Sequence, residues 1–234
     1  MQLSKTAQIA STHVGGYLLM QYRDVGGMLH AANAVSALGA WAGIFAQIQA
    51  HALLITGAIP QSESSLVEVT TRDGERYFYG DAINACLFEG GGDAFLSFWN
   101  LAAGAAGDPD IASKVDTLEI AKHTSKALGG PEFGIPRVGP EYELSEMPID
   151  AVRKHGPVLL GHFLELDLNP AELMVVFGMV AQQFAVFAVG GAADVAARRP
   201  MKRVDIVRLY MESAVPMSKL DTSTVGMATM YRQN

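Results

Sequence analysis

The apolar positions of this chain follow two different patterns. From Val25 to Ser62 there is no Asp, Glu, Lys or Arg, and LHAANAVSALGAWAGIFAQIQAHALLI within it is rich in Ala and Gly. Such a run predicts a long helix buried around most of its circumference. A second charge-free run, LMVVFGMVAQQFAVFAVGGAA, follows Asn169-Pro170-Ala171-Glu172. There Asn suits a helix cap, Pro the first helical position and Glu the third. Shorter helical patterns surround these two. Residues 4 to about 22 form one, with Ile9, Leu18, Leu19 and Tyr22 on its apolar stripe. Asp81 suits the cap of a short helix through Phe88, and Asp93 that of another to about Ala103. Asp108-Pro109 opens a helix expected to reach Leu128 and to stop at Gly129-Gly130. A further helix begins at Ile149 to Lys154, where Gly156-Pro157 should break or kink it. The last follows Pro200 and reaches about Ser213; the polar tail from Val215 reads as loosely held.

Period three-to-four gives way to alternation once, in LVEVTTRDGERYFYG. This predicts a β-hairpin over residues of about 66–79. With Asp73-Gly74 as the two central residues of a type I′ turn, Thr70 pairs with Tyr77, Val69 with Phe78 and Glu68 with Tyr79. Val67, Val69 and Phe78 then share the face directed at the core. A lone hairpin is marginally stable, so it should lie on the helices or pair with another chain. The expected fold is mainly α, a multi-helix bundle around two long apolar helices with one small hairpin. Residues 1–234 read as a single helical domain. The Pro- and Gly-rich stretch 131–148, an ordered loop or surface strap, is where it would subdivide.

Composition narrows the functional classes. Half the residues are hydrophobic, 18% are charged and the formal net charge is −7. Disorder is excluded, and an acidic chain has no general affinity for nucleic acid. The single cysteine, Cys86, forms no internal disulfide and supports no zinc pattern. A cytoplasmic setting is expected, since the N-terminus lacks a basic start followed by an apolar run. The two charge-free runs also raise a bilayer. Each is long enough to span one, and Gly39 to Gly43 is a small-xxx-small pattern. Against that, Asn33, Gln47, Gln49 and His51 interrupt the first run, and Gln182 and Gln183 the second. Amides in lipid need partners. A water-soluble bundle, its long helices covered by neighbours or by a second subunit, is the reading adopted.

Chemical motifs are sparse. Gly90-Gly91-Gly92 lacks the lysine of a phosphate loop and reads as a turn, and Cys86 in apolar company reads as a structural thiol. No GxSxG, GxGxxG or HExxH is present. His123 follows Glu119 by four and His162 precedes Glu165 by three, spacings read as solvated surface pairs; no metal site and no cofactor is expected. His30 and His51 are expected in the interior or at an interface. Two candidate sites stand. One is an aromatic wall for a small-molecule ligand, with Tyr77, Tyr79 and Trp99 facing His51. The other is the basic cluster Arg198, Arg199, Lys202 and Arg203, with Arg208 beyond it, suited to an anion or an acidic partner. Its plainer reading has Arg198 and Arg199 at a helix C-terminus. The leading functional expectation is a soluble, non-enzymatic binding or regulatory protein acting as a homodimer. The alternative is a small-molecule binder or enzyme with its pocket between the hairpin and the central helices. An integral membrane protein ranks third.

Overall fold

A computed structural model describes residues 4–92, 95–191 and 195–227. Helix α1 spans Lys5–Tyr22 and α2 Ala31–Ile55; strands β1, Val67–Thr70, and β2, Arg76–Tyr79, form the hairpin. Then come α3 (Asp81–Asn84, running into a π turn), α4 (Phe98–Ala106), α5 (Ile111–Lys114) and α6 (Thr117–Ala127). The chain closes with α7 (Pro148–Glu165), α8 (Leu173–Ala188) and α9 (Arg203–Met217). The mainly α architecture with one small hairpin is as the hydrophobic pattern predicts.

Helix α2 is the axle, packed by α1, α7, α8 and α9. Its closest partner is α9, which the sequence pattern does not single out. A Cβ at Gly39 would lie 2.5 Å from the Tyr210 carbonyl oxygen, and one at Gly43 would overlap that of Ala214. The small-xxx-small pattern therefore admits a neighbouring helix inside the protein. Ser36 and Ser213 hydroxyls meet at 3.1 Å across the same contact. On another side Phe45 packs at a tilt on Phe177 of α8 and edge to face with Phe163 of α7, centroids 5.2 and 5.1 Å apart. The Trp41 indole donates to the Ala151 carbonyl of α7.

By length and composition, α2 and the segment Pro170–Ala188 could each cross a membrane, but in the fold 83% and 61% of those windows are buried. Gln47 Nε2 donates to the Ser218 carbonyl and Gln49 Oε1 accepts from Met174 N. Gln182 and Gln183 lie on the exposed face of α8. Buried Gln47 and Gln49 thus each make a hydrogen bond within the protein, with Gln47 Oε1 and Gln49 Nε2 enclosed without a partner among the described residues, and the two amides of α8 face outward.

Local chemistry corrects several boundaries. The helix expected from Asp108 to Leu128 is two. Val115 is extended and buried, and Asp116 caps α6 by accepting from Glu119 N. Helix α4 starts at a Ser97 cap; Asp93 lies outside the described residues. Helix α7 runs through Pro157 unbroken. Glu172 does not close a capping box. Its carboxylate accepts from Ser4 N and Ser4 Oγ and so ties α1 to the start of α8. Residues 215–221 are buried, contrary to the loose tail expected there; 228–234 lie outside the described residues.

The hairpin register is shifted by one from the expected pairing. Val69 faces Tyr77, Val67 faces Tyr79 and Glu68 faces Phe78. Thr71 N donates to Glu75 O across a three-residue loop, and Gly74, with φ 85°, takes the left-handed position after a type I turn. Val67, Val69, Tyr77 and Tyr79 thus share one face, on which Tyr77 is buried and Val67 and Val69 are exposed. The free edge of β2 pairs with the chain after α9, Phe78 N donating to Lys219 O at 2.8 Å.

Candidate functional site

The densest convergence of polar side chains lies at the amino end of α2. After α1 the chain turns at Asp24, whose carboxylate accepts from Gly26 N and Met28 N. It returns extended, and Leu29 pairs in parallel with residues 196–198 through Leu29 N to Ala196 O and Arg198 N to Leu29 O, both 2.9 Å. This pairing fixes Arg198 and Arg199 beside His30 and the first turn of α2. The strap 131–148 closes the other side. Ser145 N donates to Asn33 Oδ1 and Asn33 Nδ2 to Ser145 Oγ; Tyr22 OH donates to Glu146; Lys202 N donates to Tyr142 OH.

Two adjoining cavities result. One, about 240 Å³, is lined by His30, Asn33, Glu141, Glu143, Arg198 and Arg199. The other, about 350 Å³, is lined by Tyr22, Arg23, His30, Asn33, Glu146 and Lys154. His30 and Asn33 belong to both, so the two form one cleft. Glu146 also meets Lys154 Nζ at 3.4 Å. Burial, then the Glu146 hydrogen bond and charge, push the Tyr22 phenol far above its ordinary value. Behind this wall Tyr17 OH and His155 Nδ1 share a 2.8 Å hydrogen bond, and Trp41 and Tyr22 box the imidazole. Burial lowers the His155 pKa, with Glu146 opposing, and its Nε2 is enclosed with no hydrogen-bond partner among the described residues. Arg199 donates to the Glu141 carbonyl, whereas the Arg198 guanidinium makes no hydrogen bond or ion pair among the described residues.

The basic cluster expected as one patch is divided by the fold. Only Arg198 and Arg199 reach the cleft. Arg203 donates to Ala106 O at the end of α4 and Arg208 to Lys114 O at the end of α5. The residues that complement helix C-termini are thus Arg203 and Arg208, not Arg198 and Arg199.

The expected aromatic wall is only partly assembled. His51 packs edge-on against Phe78 at 5.7 Å, and burial lowers its pKa. Tyr77 packs on Phe133 of the strap and donates to Glu75; burial, then that hydrogen bond, raises the phenol to about 12. Trp99 sits on α4, and among the described residues no hydrogen bond or ring contact joins it to Tyr77, Tyr79 or His51. A cavity of about 580 Å³ beside the hairpin is lined by Arg76, Tyr77, Phe133, Arg153 and Asp221, and of the four expected residues it takes in Tyr77 alone. Sequence reasoning missed Lys219 in this region. It is 4% exposed, its ammonium lies 5.0 Å from the Tyr79 ring centroid, and no described carboxylate pairs with it. Burial lowers its pKa to about 8. A lone lysine in a polar tail carries no sequence signal of burial.

Cys86 is buried, which raises its thiol to about 12 and leaves it unreactive near neutrality. His30, His51, His123 and His162 scatter over the cleft, the carboxyl half of α2, α6 and α7. No known family matches this chain, and neither a curated protein nor a solved structure is similar to it.

Proposed function

We propose that the protein binds a small, polar, anionic molecule in the cleft at the amino end of α2. One observation carries this reading. Four separate segments bring charged groups of both signs around a wall that is already internally bonded. Tyr22 with Glu146 and Asn33 with Ser145 hold each other in place, so little ordering is needed when a ligand arrives. Arg198 makes no ion pair among the described residues, and Arg199 beside it bonds only a backbone carbonyl, so either can offer a planar fork to a carboxylate or phosphate. Glu141, Glu143 and Glu146 would accept from hydroxyl or amino groups elsewhere on the same molecule.

A helical homo-oligomer acting through its surface would have to use exposed apolar side chains that lie on several elements. Ile9, Met20, Val67, Val69, Leu118, Val158, Leu164 and Val186 are spread over α1, the hairpin, α6, α7 and α8. Calorimetric titration with inorganic phosphate, a hydroxy acid and an α-amino acid tests the proposal. At least one should saturate, and Arg198→Ala should weaken it about tenfold or more, the loss of a charge-assisted pair. Arg208→Ala, outside the cleft, should leave it unchanged. No saturation with any of the three, or binding indifferent to Arg198→Ala, contradicts the proposal.

A further inference from the structure

Away from the cleft, α1 and α7 meet again at a pair of histidines, His13 exposed and His162 half-buried. Tyr17 and His155 bond the two helices; His13 lies one turn before Tyr17 and His162 two turns after His155. The pairing places His13 Nδ1 2.7 Å from His162 Nε2, with ring centroids 4.7 Å apart. Glu165, one turn further along α7, sets its Oε2 3.6 Å from the opposite ring nitrogen, His162 Nδ1.

We propose that His13 and His162 form a clamp for a divalent ion of the borderline first-row class, Zn²⁺ or Cu²⁺. Two neutral imidazoles at this separation share one hydrogen between the facing nitrogens. The Glu165 charge favours the His162 tautomer with hydrogen on Nδ1 and the lone pair on Nε2, as a metal ligand requires. If His13 moves its hydrogen from Nδ1 to Nε2, both facing nitrogens present lone pairs, with no net proton released. Metal–nitrogen bonds of 2.0–2.1 Å in a tetrahedral site would set the nitrogens about 3.3 Å apart. That requires the nitrogens to part by roughly 0.6 Å and both rings, which meet nearly head-on, to turn so that their lone pairs converge on one point, a change of side-chain torsions only. Among the described residues no third histidine, cysteine or carboxylate joins the pair. Water therefore fills the remaining positions, and the site is open. Imidazole donors select zinc and copper over magnesium and calcium, which prefer oxygen.

The test uses the full chain. Zn²⁺ is titrated calorimetrically, and the Cu²⁺ adduct is examined by electron paramagnetic resonance. A 1:1 complex with two coordinated nitrogens is expected. Either His13→Ala or His162→Ala should lower affinity at least about tenfold, and Glu165→Gln by about threefold, less than a buried outer-shell partner would cost. His123→Ala should change nothing. None of these positions is buried, and circular dichroism checks that each variant folds. A one-nitrogen spectrum, Mg²⁺ binding as tightly as Zn²⁺, or single-histidine variants as good as the parent would each overturn the proposal. In those cases the pair is a hydrogen bond between helices and nothing more.

Discussion

A lysine that loses its hydration without gaining a carboxylate works against the fold. Lys219 is such a residue, its pKa lowered by burial to about 8 against an unfolded value of 10.5. The folded state therefore disfavours the protonated form. Below pH 8 the whole penalty applies, and between pH 8 and 10.5 it is relieved, so stability should rise through that window. A shift of this size corresponds to about 3 kcal/mol at most. Lys219→Met should be more stable than the parent at pH 7 and should lose the rise, as read by urea unfolding across pH. A variant that is less stable, or that keeps the slope, would show that the contact with Tyr79 outweighs the desolvation. Residue-scale chemistry was only partly legible beforehand. Arg198 and Arg199 stand out as a charge cluster, but Tyr22, Asn33 and Glu146 do not, because α1, α2 and the strap meet only in the folded chain. Lys219 is buried through pairing with β2, a contact with no local signature.

Elements follow local chemistry where a cap or a hydrophobic period decides them, and depart from it where a tertiary contact does. The two long helices and the hairpin are readable from pattern alone. The hairpin register is not, because Asp73-Gly74 suits two turn types. The threonine two residues before Asp73 helps hold the longer loop, its hydroxyl accepting from Glu75 N at 3.1 Å. The split between α5 and α6 likewise depends on burying Val115, which no propensity announces. Glycine separates the two kinds of control. Gly43 faces the α9 backbone, and Gly16 on α1 has open space where a Cβ would be. Gly43→Ala should destabilise the protein by about 3 kcal/mol through overpacking against a backbone that cannot yield. Gly16→Ala should stabilise it by about 0.5–1 kcal/mol by restricting the unfolded chain and favouring helix. Thermal unfolding of the two variants gives the comparison; equal effects would mean that α2 and α9 are less closely apposed than described.

At the scale of the molecule, one charge-free helix organises everything else. The amino end of α2 forms the cleft, its carboxyl half supports the hairpin, and α9 lies along it through Gly39 and Gly43. The strap 131–148 gathers the periphery onto this axle. It reaches the hairpin through Phe133, α6 and α9 through Arg137 with Glu119 and Glu212, and α1 and α2 through Ser145 and Glu146. Composition alone leaves open whether such a helix is hidden by protein or by lipid, because hydrophobic length is the same in both settings. What separates them is the placement of Gln47, Gln49, Gln182 and Gln183, and placement is a property of the fold. Hydrogen exchange in detergent-free buffer tests this arrangement most directly. Amides from Ala34 to Leu53 should exchange slowest in the chain, opening only with global unfolding, while those of α1 and α6 exchange faster. A chain that stays in solution only with detergent, or an α2 that exchanges as fast as the outer helices, would contradict the enclosed axle and the cleft built on its end.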